Sequence, residues 1–391
     1  MNEKKLLNTI RLENILSYST GMKTLTFESL NVLIGTNASG KSNLIEIISL
    51  LAATPNNLLI PIRQGGGIME WLWKGSDSAS PIASIDSCWQ NIQYQLSFTC
   101  SGNRFELVNE MVKATTDNNP LIYYAYQNGY PTLNMLIDSE QNLRTERQLQ
   151  RQDVSIEQSI LSQRRGADLY PELTHLSSQF NQIRFYREWN LGHYAIMRMP
   201  QKADLPNEFL LEDASNLGLV INNLQNNPQV KQQLLSLLQE FYEYIEDITT
   251  KTEGNTIQIF FHERGLRQPV PATRLSDGTL RYLCLLTILC HPKPPPLVCI
   301  EEPELGLHPD ILPSIVPLLK ECAERTQLIV TTHSDVIVDA LTDIPESIIV
   351  CDRDENGTHL KRLNQTELEV WLQEYSLAEL WRSGEIGGNR W

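Results

Sequence analysis

The sequence contains no uncharged apolar run of about 18 residues or more, so neither a membrane-spanning helix nor a membrane partner is expected. Residues 1–10 carry Glu3, Lys4 and Lys5 and lack the long apolar core of a secretory leader. No C-x-x-C pair occurs. The seven cysteines (Cys88, Cys100, Cys284, Cys290, Cys299, Cys322 and Cys351) are odd in number and scattered, several of them in apolar runs. That argues against a disulfide framework and points to reduced, buried thiols in a cytoplasmic protein. The histidines show no metal-ligand spacing, so no zinc site is expected. Long heptad arrays and internal repeats are also missing. Positive charge is scarce: 32 Lys and Arg stand against 47 Asp and Glu, a net charge of −15. Such a chain is not built as a general nucleic-acid binder, although DNA binding at a local face stays open. The best basic candidates are Arg144, Arg147, Arg151, Arg164 and Arg165. With Glu146, Asp153 and Glu157 interleaved, they read as a solvated mixed-charge helix face.

What is present is a large core and an α/β texture. Hydrophobic residues make up 41% of 391 residues, enough for two or three lobes or for one large domain with an insertion. Residues 9–13, 23–27 and 31–34 read as strands, and residues 42–52 as a helix with Leu44, Ile47, Ile48 and Leu51 on one face. Strands are expected again within 80–110. Residues 111–254 are rich in Gln, Asn, Arg and Glu and read as mostly helical, with the clearest helix at 229–244. Strand and helix alternation returns from 256, with apolar strands at 297–300 and 327–330. Residues 366–382 read as one amphipathic helix, more in keeping with packing on its own domain than with docking a partner.

Four motifs carry chemistry. Gly35-Thr36-Asn37-Ala38-Ser39-Gly40-Lys41-Ser42 fits G-x-x-x-x-G-K-[ST] between a strand and a helix. Its glycines let successive backbone N–H groups approach phosphate oxygens, and the helix N-terminus adds its positive dipole end. In such a loop Lys41 reaches the outer phosphates and the Ser42 hydroxyl ligates Mg²⁺. The apolar strand 297–300 runs into Glu301-Glu302-Pro303, where Glu301 is suited to holding Mg²⁺ and Glu302 to polarising an attacking water. Leu275-Ser276-Asp277-Gly278-Thr279 opens a helix at 280–290. It is a second anion-binding helix end, or an ordinary N-cap made by Ser276 or Asp277. His333, in Thr331-Thr332-His333-Ser334 after an apolar strand, is placed to hydrogen-bond a terminal phosphate or to serve a structural role.

The order G-x-N-x-x-G-K-S-N, L-S-D-G-T, I-E-E-P-E-x-G-L-H-P, T-T-H-S resembles that of the ABC-type ATPases of the SMC, Rad50, RecF and OLD group. It most resembles the small bacterial RecF-like ATPases, and the ending Trp381-Arg382-Ser383-Gly384-Glu385-Ile386-Gly387-Gly388-Asn389-Arg390-Trp391 is similar to theirs. The resemblance implies an α/β P-loop NTPase of the ABC head-domain type, with N-terminal antiparallel strands. It places the nucleotide-binding domain at 1–110 and 255–391 and a mainly helical insertion at 111–254. ATP and Mg²⁺ are the implied cofactors. Glu302 is the implied catalytic base, His333 the switch histidine, and Gly35 to Asn43 the phosphate cradle. Asn14 and Ser17 fall in the segment that touches the base and sugar side. Ser276 and Gly278 of the signature would act on ATP held by a second copy, which implies a head-to-tail homodimer. Glu304 to Pro309 correspond to the loop after the acidic pair.

Three positions depart from the family pattern. Asp277 puts a carboxylate where the signature usually has glycine, Leu16 stands where many relatives have Arg or Lys, and Gln64 is only a candidate for the glutamine that approaches Mg²⁺. The segment 335–391 is too short for the acid-rich nuclease domain of OLD-type proteins, and Asp352 with Asp354 is a faint echo of it. Any nuclease chemistry is therefore expected on a separate effector protein. The leading reading is a nucleotide-gated dimeric switch in DNA maintenance or anti-phage defence. A non-hydrolysing ATP-gated scaffold is the alternative. A transporter motor is disfavoured by the long polar insertion ahead of the signature. On cell fractionation the chain is expected in the supernatant; recovery in the membrane pellet would instead favour the transporter motor.

Overall fold

The computed structural model describes residues 5–115, 120–127, 129–138 and 143–388. Met1 to Lys4, the side chain of Arg151 and the ending Asn389-Arg390-Trp391 lie outside the described residues. In chain order the first elements are β1 (Leu7–Glu13), β2 (Leu25–Thr26), β3 (Leu30–Ile34), α1 (Lys41–Ala53), α2 (Leu59–Gln64) and α3 (Ile68–Trp71). Six strands follow: β4 (Ala83–Trp89), β5 (Ile92–Ser101), β6 (Arg104–Ala114), β7 (Ile122–Gln127), β8 (Tyr130–Asp138) and β9 (Leu143–Gln148). Then come α4 (Ile160–Gln163), α5 (Pro171–Asn181), β10 (Arg184–Tyr186), β11 (Gln201–Lys202), α6 (Leu217–Leu224) and α7 (Pro228–Phe241). They are followed by β12 (Ile245–Glu253), β13 (Thr256–Glu263), β14 (Val270–Pro271), α8 (Asp277–Leu289), β15 (Leu297–Glu301), α9 (Leu312–Ala323), β16 (Gln327–Thr331) and α10 (Asp335–Asp339). The chain closes with β17 (Ile348–Asp354), β18 (Gly357–Arg362), α11 (Gln365–Leu368) and α12 (Leu377–Ser383).

Two compact units result. The first comprises residues 1–183, 344–375 and 379–391; the second comprises 184–343 and 376–378. In the first unit, eight antiparallel strands run in the order β2-β1-β4-β5-β6-β7-β8-β9. β4 and β5 alternate buried and half-buried residues, as a sheet with one covered face requires. The cover includes α5, whose Phe180 packs edge-on against Trp89 and Tyr94, with centroids 4.6 and 5.8 Å away. Also in this unit, β3 pairs in parallel with β17, which pairs antiparallel with β18. All five residues of β3 are buried, as in a strand covered on both faces. In the second unit β10, β15 and β16 pair in parallel, and β11 to β14 form a separate antiparallel sheet. Its central helix α8 is buried from Thr279 through Leu289, which is why its sequence is apolar around most of the circumference.

The short strands and helices expected at 9–13, 31–34, 42–52, 280–290, 297–300 and 327–330 are present to within a few residues. The helical expectation for 111–254 needs correction. That stretch holds the end of β6, all of β7 to β9, and β10 to β12, besides α5, α6 and α7. β9 was hidden by composition: its residues 145–148 are exposed, so polar side chains suit them as well as a helix face. Nor do the expected boundaries at 110 and 255 coincide with the two compact units. Residues 366–382 are not one helix but α11, a 3-10 turn at Trp371–Gln373 and α12. Leu380 is buried, whereas Val370, Trp371 and Tyr375 are exposed, so no single apolar face continues along the segment. The basic candidates are largely engaged: Arg144 pairs with Glu172, Arg165 donates to the Pro55 carbonyl, and Arg164 donates to the Asp153 carbonyl at 3.1 Å.

The first unit buries one carboxylate in its core. Glu110 on β6 accepts from Tyr94 Oη at 2.7 Å, from Ser159 Oγ and from the Ile160 N–H at 2.9 Å. It thereby ties the start of α4 to the sheet. Burial raises its pKa from 4.5 to about 7, against the lowering effect of those hydrogen bonds. The folded state then holds a proton that the unfolded chain has already lost, so this group's stabilisation is present at low pH and fades as pH rises towards 7. Glu110→Gln is expected to remove that slope. In urea unfolding between pH 5.5 and 8, the wild-type midpoint should fall with pH by more than that of the variant.

Candidate functional site

The loop between β3 and α1 is shaped by what holds its carbonyls. Lys41 Nζ donates to the Gly35 and Thr36 oxygens at 2.8 and 2.9 Å. Arg353 reaches the Ala38 oxygen at 3.2 Å, Thr358 Oγ1 the Ser39 oxygen at 2.9 Å, and Tyr18 Oη the Gly40 oxygen at 2.9 Å. Gly35, Ala38 and Gly40 have φ of 150°, 63° and 105°, which only permissive or strained backbone adopts. With these carbonyls held, the loop can offer N–H groups to an anion, apart from that of Ser39, which donates to the Thr36 oxygen at 3.2 Å. α1 begins at Lys41 with no side-chain cap and no acidic residue in its first turn. Ser39 Oγ is buried without a hydrogen-bond partner. These features fit a phosphate chain at this loop. Thr36 is half-buried, while Asn37, Ala38 and Ser42 are exposed.

Asn14 and Ser17 lie near this loop in sequence logic, but the structure gives them supporting contacts. Ser17 is 3% exposed; Asn43 Nδ2 donates to its Oγ at 2.7 Å, and Thr358 Oγ1 lies 2.8 Å from it. The chain Asn43, Ser17, Thr358, Ser39 carbonyl therefore braces the loop from beneath. Asn14 and Leu16 both have φ of 51°, with Asn14 Nδ2 donating to the Ile82 oxygen at 3.3 Å and the Leu16 N–H to the Trp71 oxygen at 2.8 Å. Gln64 is the exposed last residue of α2. Asp352 and Asp354 form no acidic metal cluster: Asp352 accepts from the Gly388 N–H, and Asp354 pairs with His359 at 3.0 Å. Among the described residues no group of three or more His, Cys, Asp or Glu could hold a metal ion. A Mg²⁺ at the phosphate loop would arrive with phosphate oxygens and waters, with Ser42 as the protein ligand, which is the usual habit of that ion.

The second unit organises the acidic pair. Glu301 ends β15 and lies 3.4 Å from Arg187 Nε. Glu302 has φ of 45°, a strained conformation for a side-chain-bearing residue. It is pinned there on both sides: its N–H bonds the Thr331 oxygen at 3.0 Å, and its carbonyl accepts from Arg281 at 3.1 Å. Its carboxylate lies 3.8 Å from His333 Nε2. Glu304 fixes that histidine's backbone, accepting from the His333 N–H at 2.7 Å and from Thr332 Oγ1 at 2.8 Å. Arg281 is 3% exposed, stacks over Trp189 at 5.4 Å, and is pulled below its ordinary pKa by burial while Glu304 and Glu302 oppose that shift. Sequence reading missed Arg281, Arg198 and Thr358, because none lies within a recognised motif spacing.

Ser276 is the N-cap of α8, its Oγ accepting from the Thr279 N–H at 3.0 Å. Capping by Ser276 frees Asp277 for another partner. Asp277 pairs with the buried Arg198, and the Gly192 N–H donates to it at 3.0 Å. Arg198 also donates to the Leu275 and Gly192 carbonyls. This guanidinium, with the Gly192 N–H, holds the Asp277 carboxyl below the usual carboxylate range. Gly278 approaches Gly306 so closely that a Cβ would meet the Gly306 oxygen at 3.3 Å.

A family profile described as "AAA domain, putative AbiEii toxin, Type IV TA system" matches residues 30–99 and 137–339. The chain belongs to that family. No curated protein matches it. Among solved structures, the SMC head bound to the C-terminal winged-helix domain of ScpA matches with a TM-score of 0.52 and 12% identity, over 93% of this chain and 99% of that one. An SMC head with an extended coiled coil bound to the C-terminal domain of ScpA, derived from Pyrococcus furiosus, matches with a TM-score of 0.52 and 11% identity, over 94% and 99%. At such identities these matches show the fold, that of an ABC-type ATPase head. Family and fold together bear out the group read from the motifs. No helix among the described residues is long and apolar enough to cross a membrane.

The pairing of Asp277 with Arg198 yields a test. Arg198→Met strips the charge from Asp277's partner, and ATP turnover is expected to fall about tenfold if a bare carboxylate then faces phosphate. Adding Asp277→Asn should restore most of that loss. Persistence of the loss in the double variant would show that Arg198 matters only for local folding.

Proposed function

We propose that the chain binds and hydrolyses ATP, closing head to tail with a second copy and acting as a nucleotide-gated switch. The observation that carries this reading is Glu302, held in a strained backbone with its carboxylate facing His333, in a chain that also keeps an anion-ready phosphate loop. Strain maintained by several hydrogen bonds is characteristic of groups whose position matters to function. In this reading the N–H groups of residues 35–42 and Lys41 hold the phosphates, and Ser42 and Glu301 serve Mg²⁺, which supplies charge neutralisation at the transferred phosphate. Glu302 accepts a proton from the attacking water, and His333 steadies the terminal phosphate and Glu302. Ser276 and Gly278 act on the nucleotide of the second copy, so ATP favours the closed pair through its greater affinity for that state. Gln64 and Asn14 keep only supporting roles, the former as a Mg²⁺-side contact and the latter at the base side.

A separate effector protein completes the proposal. The two SMC heads described above were captured with a domain of ScpA, which supports the reading that a head of this fold can carry a partner protein. The family description, with its toxin of a toxin–antitoxin system, favours anti-phage defence or DNA maintenance over transport. ATP turnover per protomer is expected to rise with protein concentration. Glu302→Gln should lower it by about 100-fold or more while nucleotide binding persists. Turnover that survives in Glu302→Gln would remove the assigned base, and binding without any turnover in wild type would leave the ATP-gated scaffold.

A further inference from the structure

The glycine-rich ending and the acidic residue on β17 have no part in the chemistry proposed above, yet the structure brings both to the phosphate loop. β17 lies parallel to β3, and its Cys351 carbonyl packs directly on Gly35, where a Cβ could not be accommodated. One residue on, Asp352 Oδ1 accepts from the Gly388 N–H at 2.8 Å. Trp381 Nε1 donates to the Gly388 carbonyl at 3.1 Å. Gly387 and Gly388 have φ of 80° and 75°, so the turn needs glycine for its backbone alone. It also needs glycine for space. A Cβ on Gly388 would lie 3.0 Å from Val350 Cγ1, 3.3 Å from Trp381 Nε1 and 3.4 Å from Gly35 Cα, and one on Gly387 would lie 2.7 Å from Asp352 Oδ2. Leu380 and Ile386, at 2% and 9% exposed, anchor the chain on either side of the bend.

We propose that the Gly387-Gly388 turn, clamped by Asp352 and Trp381, is a positioning element of the phosphate loop. Gly35 is the loop's first residue, and its carbonyl accepts from Lys41 Nζ. The turn closes the space behind Gly35 and so fixes both the lysine and the first N–H groups of the cradle. The ligand class it serves is the phosphate chain of a nucleotide, so the inference rests on the ATP-binding reading. Asp352 then supports the loop through a neutral backbone partner and is not a metal ligand. Loss of the clamp lets the loop entry relax, and small misplacement of a binding group is costly even when the fold survives.

The test uses the full chain and Mg-ATP as probe, with Gly388→Ala, Trp381→Phe, Asp352→Ala and Asp352→Asn. Titration calorimetry reads the ATP Kd, and thermal unfolding without nucleotide reads the fold. Trp381→Phe and Asp352→Ala are expected to raise the Kd about tenfold while the nucleotide-free melting point stays close to that of wild type. Gly388→Ala, which lowers the melting point through its strained backbone, is expected to raise the Kd at least as much at temperatures where it is still folded. Asp352→Asn keeps an acceptor oxygen for the Gly388 N–H and is expected to stay within about twofold of wild type. Two outcomes overturn the inference while leaving ATP binding intact: an unchanged Kd in Gly388→Ala and Trp381→Phe, or losses that merely track a collapse of the nucleotide-free fold. A wild-type chain that binds no ATP is a different result, because it removes the functional reading itself and the inference with it.

Discussion

The hold on the carbonyls of Gly35, Thr36, Ala38, Ser39 and Gly40 is the constraint on which the first unit is organised. A loop that offers N–H groups to an anion must dispose of its own oxygens, since buried carbonyls without donors are costly. Here Lys41 comes from the loop's own helix, but the other donors come from far along the sequence: Tyr18 from the segment after β1, and Arg353 and Thr358 from the β17–β18 hairpin. Parallel pairing of β3 with β17 brings that hairpin to the loop. The β-sheet core and the phosphate loop are thus one construction, in which strand pairing delivers the side chains that set the loop's polarity.

The second unit solves a different problem with the same means. Its acidic strand end gathers Glu301, Glu302 and Glu304, which repel one another unless cations or hydrogen-bond donors intervene. Arg187 stands by Glu301, and the buried Arg281 bonds the Glu302 backbone carbonyl and attracts the Glu304 and Glu302 carboxylates. The His333 N–H and Thr332 hydroxyl donate to Glu304 Oε1, leaving its Oε2 buried without a hydrogen bond. Arg281 lies on α8, the helix that begins with the signature, so the signature helix and the Glu302 backbone are mechanically joined within this unit. Buried Arg198 plays the comparable part for Asp277, holding the carboxylate of the first turn of α8 in an ion pair.

The cysteines follow from the same core. Five of the seven are buried, and burial pushes the Cys351 thiol, next to the phosphate loop, up to about 12. At neutral pH it stays protonated and behaves as a small apolar residue, which suits a fully buried position on β17. The two half-buried cysteines, Cys88 and Cys100, sit on β4 and β5 of the antiparallel sheet.

By itself the sequence determined the motifs and the elements that carry them. Gly35 to Ser42 could be read because a phosphate cradle needs glycine, lysine and hydroxyl at fixed local spacing, and β3, α1, α8, β15 and β16 because their apolar periodicity is strong over short windows. The polar strand β9 was not legible, since an exposed strand obeys no period that distinguishes it from a polar helix, whereas β7 and β8 carry an alternation, with Tyr124, Tyr126 and Leu133 buried, that the polar composition around them masked. Only the tertiary structure decided what surrounds the motifs: Thr358 beneath Ser17, Arg198 on Asp277, Arg281 on Glu302, and Gly388 against Gly35. The physical reason is distance along the chain. Local chemistry leaves its mark in neighbouring residues, whereas charge neutralisation, carbonyl satisfaction and close backbone approach are met by whichever residue the fold brings near, and the sequence carries no spacing that marks it.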